Sequence, residues 1–163
     1  MSKKSRKSKE ETGTSVQAAV KRLRNAAKAM KATRSRYAAY TFLLEIYRCY
    51  WEWLDRGWAE KRLKSLSRKL GLHRQKNQQP FKMLIKAANC SLDAKLRSRW
   101  VRALEYALSE ETHPNDLIVL FNEHGGIVGC ARLAAENDPK RGAPRFRDDW
   151  ADDRVSTTNT ETC

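Results

Sequence analysis

A chain of 163 residues with 33 lysines and arginines against 19 aspartates and glutamates carries a net charge of +14. That is enough to favour adhesion to phosphate-rich surfaces and puts nucleic acid first among partners. The length suits one modest domain of about 100 residues with extensions at both ends. No apolar run reaches the roughly 18 residues of a membrane span, and Met1-Ser2-Lys3-Lys4-Ser5-Arg6-Lys7-Ser8-Lys9 lacks the apolar stretch of a signal peptide, so a cytoplasmic protein with no membrane partner is expected.

Residues 1–13 have no apolar side chain after Met1 and cannot offset the entropy of ordering, which predicts a disordered basic arm. From Thr14 or Ser15, either of them a suitable N-cap, Val16, Val20, Leu23, Ala27 and Met30 step by 4, 3, 4 and 3 along one side of a helix whose other side is basic. Tyr37, Tyr40, Leu44, Tyr47, Trp51, Leu54 and Trp58 then repeat at 3-4 spacing beside a second seam of Leu43, Ile46, Tyr50 and Trp53. Together they predict a long, aromatic-rich amphipathic helix with about half its circumference apolar. No proline or glycine lies between Thr14 and Asp55, so one continuous helix and two helices parted at Thr33-Arg34-Ser35 both fit. Gly57 either kinks this helix or is tolerated within it, and Leu63, Leu66 and Leu70 carry the pattern on to a cap at Gly71.

His73 to Gln79 is a polar loop, and Pro80 opens a short helix to about Asn89 with Phe81, Leu84, Ile85 and Ala88 inward. Ser91 or Asp93 caps the next, which runs to about Glu110 on Leu92, Leu96, Trp100, Leu104, Ala107 and Leu108. Leu117, Ile118, Leu120 and Phe121 begin a penultimate helix that ends at Gly125-Gly126, and Ile127 to Ala135 completes a two-helix hairpin. Asn137, Asp138, Pro139, Gly142 and Pro144 stop regular structure, and residues 137–163 read as a flexible acidic tail. The expected fold is all-α: a single helical bundle of about five to six helices over residues 14–136, with disordered termini.

Residues 1–36 carry 12 basic and 2 acidic side chains, residues 37–135 carry 16 and 10, and residues 136–163 carry 5 and 7. The body therefore stays basic without the arm. Lys61, Arg62, Lys64, Arg68, Lys69, Arg74 and Lys76 follow one another with no acid between, a helix end and loop suited to several phosphates. Lys95, Arg99 and Arg102 stand at i, i+4 and i+7, one above another. These residues and Arg132 are the candidate nucleic-acid contacts; a solvated face around a leucine seam is the alternative reading of any single run. Base stacking on the aromatics is disfavoured because leucines and an isoleucine share their face, and Trp58, beside Lys61 and Arg62, is the best stacking candidate.

Catalytic signatures are missing. Ser98, Cys90 and His113 have no nucleophile elbow or comparable setting, and Gly125-Gly126 lacks the G-K-[ST] ending of a P-loop. Cys49, Cys90, Cys130 and Cys163 stand roughly 30 to 40 residues apart, so free thiols are expected. His73, His113 and His124 form no metal-ligand spacing with them. A non-enzymatic protein without metal or cofactor is expected.

Leu117 through Ala135, with its helix, glycine turn and following small-residue helix, resembles the opening two helices of a Fis-type helix-turn-helix. That resemblance implies DNA as the partner, with base reading near residues 125–135. Asn137-Asp138-Pro139 stands where such a motif continues into its recognition helix, and an αα-hairpin whose small residues permit close packing is the alternative. The strings Arg97-Ser98-Arg99-Trp100 and Gly125-Gly126-Ile127-Val128-Gly129-Cys130-Ala131 are similar to those of helical bacterial proteins from plasmids and phage-like regions of alphaproteobacteria, which implies a mobile-element setting. The expected function is a DNA-binding accessory or regulatory protein docking mainly on phosphates, DNA being favoured over RNA. The alternative is a protein–protein interaction module, a homo-oligomer or an adaptor for a partner helix, whose charge serves solubility.

Overall fold

In the computed structural model, which describes residues 7–72, 79–88 and 91–138, the first helix, α1, runs Lys7–Thr33. It begins ahead of the expected cap at Thr14 or Ser15, because Lys and Glu favour helix and only Gly13 opposes it, at about 1 kcal/mol. Helical backbone thus enters the segment expected as a disordered arm; residues 1–6 of that arm, and all but the first two residues of the acidic tail, lie outside the described residues. Val16, Val20, Leu23 and Ala27 are all buried, as their spacing predicts.

The chain breaks where Thr33-Arg34-Ser35 allowed it to. Arg34 takes a left-handed φ of 48°, and Ser35 caps α2 (Arg36–Asp55), its hydroxyl accepting the Ala38 N–H at 3.1 Å. Gly57 neither kinks α2 nor is carried within it. The Trp58 N–H bonds the Trp53 carbonyl and the Gly57 N–H the Leu54 carbonyl, which terminates the helix, and α3 (Ala59–Lys69) starts afresh. Separation into α1, α2 and α3 raises the helix number among the described residues to seven, above the five to six expected. The others are α4 (Pro80–Ala87), α5 (Ala94–Ser109), α6 (Leu117–Glu123) and α7 (Gly126–Glu136), with a 3-10 turn at Pro114–Asp116. The fold is all-α, with no strand among the described residues.

Helix α2 is the hub, packing against α1, α3, α4, α5 and α6. Its rings meet one from each of three neighbours: Tyr47 stacks on Phe81 of α4 at 5.9 Å, Phe42 tilts against Trp100 of α5 at 6.0 Å, and Tyr40 against Phe121 of α6 at 5.4 Å. The Tyr47 hydroxyl donates to the Thr112 carbonyl at 2.7 Å, and burial pushes its pKa up. The expected apolar half of α2 is covered along its middle and uncovered at both ends. Tyr40, Leu43, Ile46, Tyr47 and Trp53 are buried, Trp51 is half-buried, and Tyr37, Leu54 and Trp58 are exposed. No single helix among the described residues is long and apolar enough to cross a membrane.

Candidate nucleic-acid interface

Helix α7 packs on α5, and small residues let it approach: Cys130 and Ala131 on one, Ala103 and Ala107 on the other, all buried. Close approach of two backbones leaves the long side chains only the rims of the contact. Lys95, Arg99 and Arg102 of α5 form one wall of a groove of about 540 Å³, and Arg132 of α7 stands on the other. Ala94, Ser98, Val128, Ala131 and Ala135 complete the lining, which contains no acid. At 1.5 Å rise per residue the α5 wall spans about 10 Å. Among the described residues, the one ion pair touching these four cations is Arg132–Glu136 at 3.9 Å, with side chains 76% and 53% exposed. A pair so loose and solvated is worth little and is released readily by a stronger anion.

The groove depends on the corner that delivers α7. Helices α6 and α7 meet at 90°, so the two helices expected as a hairpin form a right-angled corner instead. Gly125 and Gly126 supply it with φ of 78° and 81° in succession, a conformation that L side chains resist. A β-carbon at Gly129 would collide with the His124 carbonyl, so the third glycine of the string is required for the closeness of the turn. Asn137 and Asp138 leave the helix; the third helix that a Fis-type motif would need falls outside the described residues.

A second, smaller cleft of about 160 Å³ continues from the first, sharing Arg99 and Val128 with it. Arg36 at the start of α2 and exposed Gly125 join Arg99 at its rim, Tyr40 and Gly126 are buried, and Leu96, Trp100 and Ile127 give apolar walls. Ser98, Arg99 and Trp100 of one string and Gly125, Gly126, Ile127, Val128 and Ala131 of the other, far apart in sequence, thus share the lining of the two clefts.

The other basic cluster is elsewhere. Lys61, Lys64, Arg68 and Lys69 are exposed on α3, which packs on α1, α2 and α4, whereas α7 packs on α5 and α6. Arg74 and Lys76 lie outside the described residues. Arg62 corrects the expectation for this cluster: it is only 8% exposed, with its guanidinium 4.2 Å from the Trp58 ring centroid and 5.7 Å from that of Trp53. Its Nε is buried without a hydrogen-bond partner, and desolvation lowers its pKa. Arg62 is thus a packing cation held by indole faces rather than a phosphate contact. The signal was present in the spacing Trp58, Arg62, Leu66, which puts position 62 on the inward side of α3. Trp58, 39% exposed, has a ring occupied by Arg62 and by Arg56 at 5.1 Å, which leaves it poorly placed to stack on a base.

Lys95, Arg99, Arg102 and Arg132, named from the sequence, line the larger groove, and Arg36 and Tyr40, which the sequence did not single out, line the smaller cleft. Tyr40 looks like one more ring of the core seam, and nothing local separates it from the others. Cys49 and Cys130 are free and buried, and burial pushes each thiol up to about 11. Among the described residues no group of three or more His, Cys, Asp or Glu side chains is placed to hold a metal ion. No protein family, curated protein or solved structure matches the chain.

Proposed function

We propose that the protein is a non-enzymatic, helical nucleic-acid-binding accessory protein, with DNA the favoured partner, that docks on phosphates through the α5–α7 groove. The observation that carries this reading is the groove itself: four cations from two helices converge on one concave surface with no acid in its lining. Such a surface is electrostatically unfavourable when empty and is relieved by a polyanion. The exposed cations of α3 and the basic α1 give further, more diffuse attraction. The mobile-element setting implied by the two strings belongs to this proposal and adds no site of its own.

The interaction-module alternative draws on the aromatic seam of α2, and the observed burial weakens it. Tyr47 is buried and Trp51 half-buried, so exposed Tyr37, in the first turn of α2, and Trp58, at the cap of α3, do not form one exposed stripe.

Fluorescence-anisotropy titration of the full chain with labelled duplex DNA, single-stranded DNA and RNA, between about 50 and 200 mM salt, tests the proposal. Binding that weakens steeply with salt is expected, tightest for DNA. Absence of binding to all three at the lowest salt overturns it.

A further inference from the structure

We infer that the smaller cleft, where α2, α5 and the α6–α7 corner meet, is a phosphomonoester site that receives the terminal phosphate of a nucleic-acid strand lying in the α5–α7 groove. This rests on the phosphate-docking reading and adds an end preference to it.

Four features converge there. Arg36 and Arg99 stand at the rim, and neither forms an ion pair among the described residues. Helix α7 begins at the cleft with no side chain capping its first amides, so backbone donors and the positive end of the helix dipole face into it. Tyr40 is 4% exposed, yet its hydroxyl has no hydrogen-bond partner among the described residues. That hydroxyl sits beside Gly126, 3.0 Å from where a β-carbon would stand, at the inner end of the cleft. The body of Tyr40 is buried while its oxygen is open to the cleft, where a ligand can meet it.

Nothing in the lining is a carboxylate, so the polar complement is almost entirely donors and the ligand must be rich in acceptors. A phosphomonoester offers three acceptor oxygens and a charge near −2, which suits two guanidinium groups, a hydroxyl and a helix N-terminus better than an internal diester with a single charge does. Size points the same way. A cleft of about 160 Å³ has room for a phosphate group. Leu96, Trp100 and Ile127 give it apolar walls, and Arg99 and Val128 join it to the larger groove.

The test uses the full chain and one oligonucleotide sequence in three forms: 5′-phosphorylated, 3′-phosphorylated and hydroxyl at both ends. One phosphorylated form should bind about tenfold tighter than the hydroxyl form, the value of one or two charge-assisted hydrogen bonds. Tyr40→Phe and Arg36→Gln should each bring the phosphorylated form to the affinity that the same variant shows for the hydroxyl form. Inorganic phosphate, tested separately by thermal shift, should raise the melting temperature of the parent protein more than that of Tyr40→Phe. Equal affinity for all three forms overturns the end preference and leaves the groove reading standing. If no strand binds but inorganic phosphate stabilises the parent alone, the site stands with a free phosphate compound as its ligand and the groove reading falls. If strands do not bind and phosphate has no selective effect, both fall.

Discussion

Replacing Lys95, Arg99 and Arg102 together by glutamine should flatten the salt dependence of duplex binding by a calculable amount. The three cations span about 10 Å of α5, and one DNA strand presents a phosphate about every 3.4 Å of helix axis, so about three phosphates can be met at once. Each neutralised phosphate contributes about −0.9 to the slope of log K against log salt. The triple variant should therefore lose about 2.7 from the slope on duplex and about 2.1 on single strands. In the parent the same contacts weaken duplex affinity about fortyfold between 50 and 200 mM salt, on top of any loss from contacts elsewhere. The assay is anisotropy at four or five salt concentrations, with circular dichroism as a control. Lys95 and Arg99 are exposed and Arg102 half-buried, so the melting curve should scarcely move. Lys64→Gln, Arg68→Gln and Lys69→Gln combined on α3 provide the comparator and should cost less than the groove variant. An unchanged slope in the groove variant, or a larger loss from α3, would refute the assignment of the groove as the main contact.

The remaining predictions concern the body that holds the groove. Trp53→Ala should destabilise by about 3–5 kcal/mol in urea unfolding, since Trp53 is 2% exposed and supports the buried Arg62, whereas half-buried Trp51 should cost clearly less on the same change; the reverse order would contradict the packing of α2. Gly129→Ala should cost about 1–3 kcal/mol by forcing α7 away from the His124 carbonyl, and should weaken nucleic-acid binding as well; a neutral Gly129→Ala would mean the corner can open freely. Cys49 and Cys130, with thiols pushed up to about 11, should be almost wholly protonated at pH 8 and escape alkylation in the native protein, and mass spectrometry after a pulse of iodoacetamide reads this site by site. Because those folded pKa values lie above that of a free thiol, the unfolded chain loses its protons first. Stability should therefore decline as the pH rises from about 9 towards 11.

Helix positions and most of the core were legible in the sequence because both depend on periodicity within one segment. Val16, Val20, Leu23 and Ala27, or Phe81, Leu84, Ile85 and Ala88, need only face the same way to be recognised, whatever they pack against. The break at Ser35 was legible as a place, though not as an event: a serine able to cap and an arginine able to take a left-handed turn are compatible with either outcome until the helices dock. The stripe of Lys95, Arg99 and Arg102 was visible for the same local reason.

Tertiary packing decided the rest. Whether Arg62 faces water or an indole depends on where α3 settles against α2, and charge alone pointed the wrong way because an arginine can lie along an aromatic face as well as in solvent. That Arg132 stands opposite the α5 stripe follows from the small residues bringing α7 against α5, a pairing between segments about 30 residues apart. Arg36 and Tyr40 reach the smaller cleft only through the docking of α2, α5 and the 90° corner. Periodicity determines which side of a helix is buried; which distant side chains then share a cavity is set by how close the backbones can come.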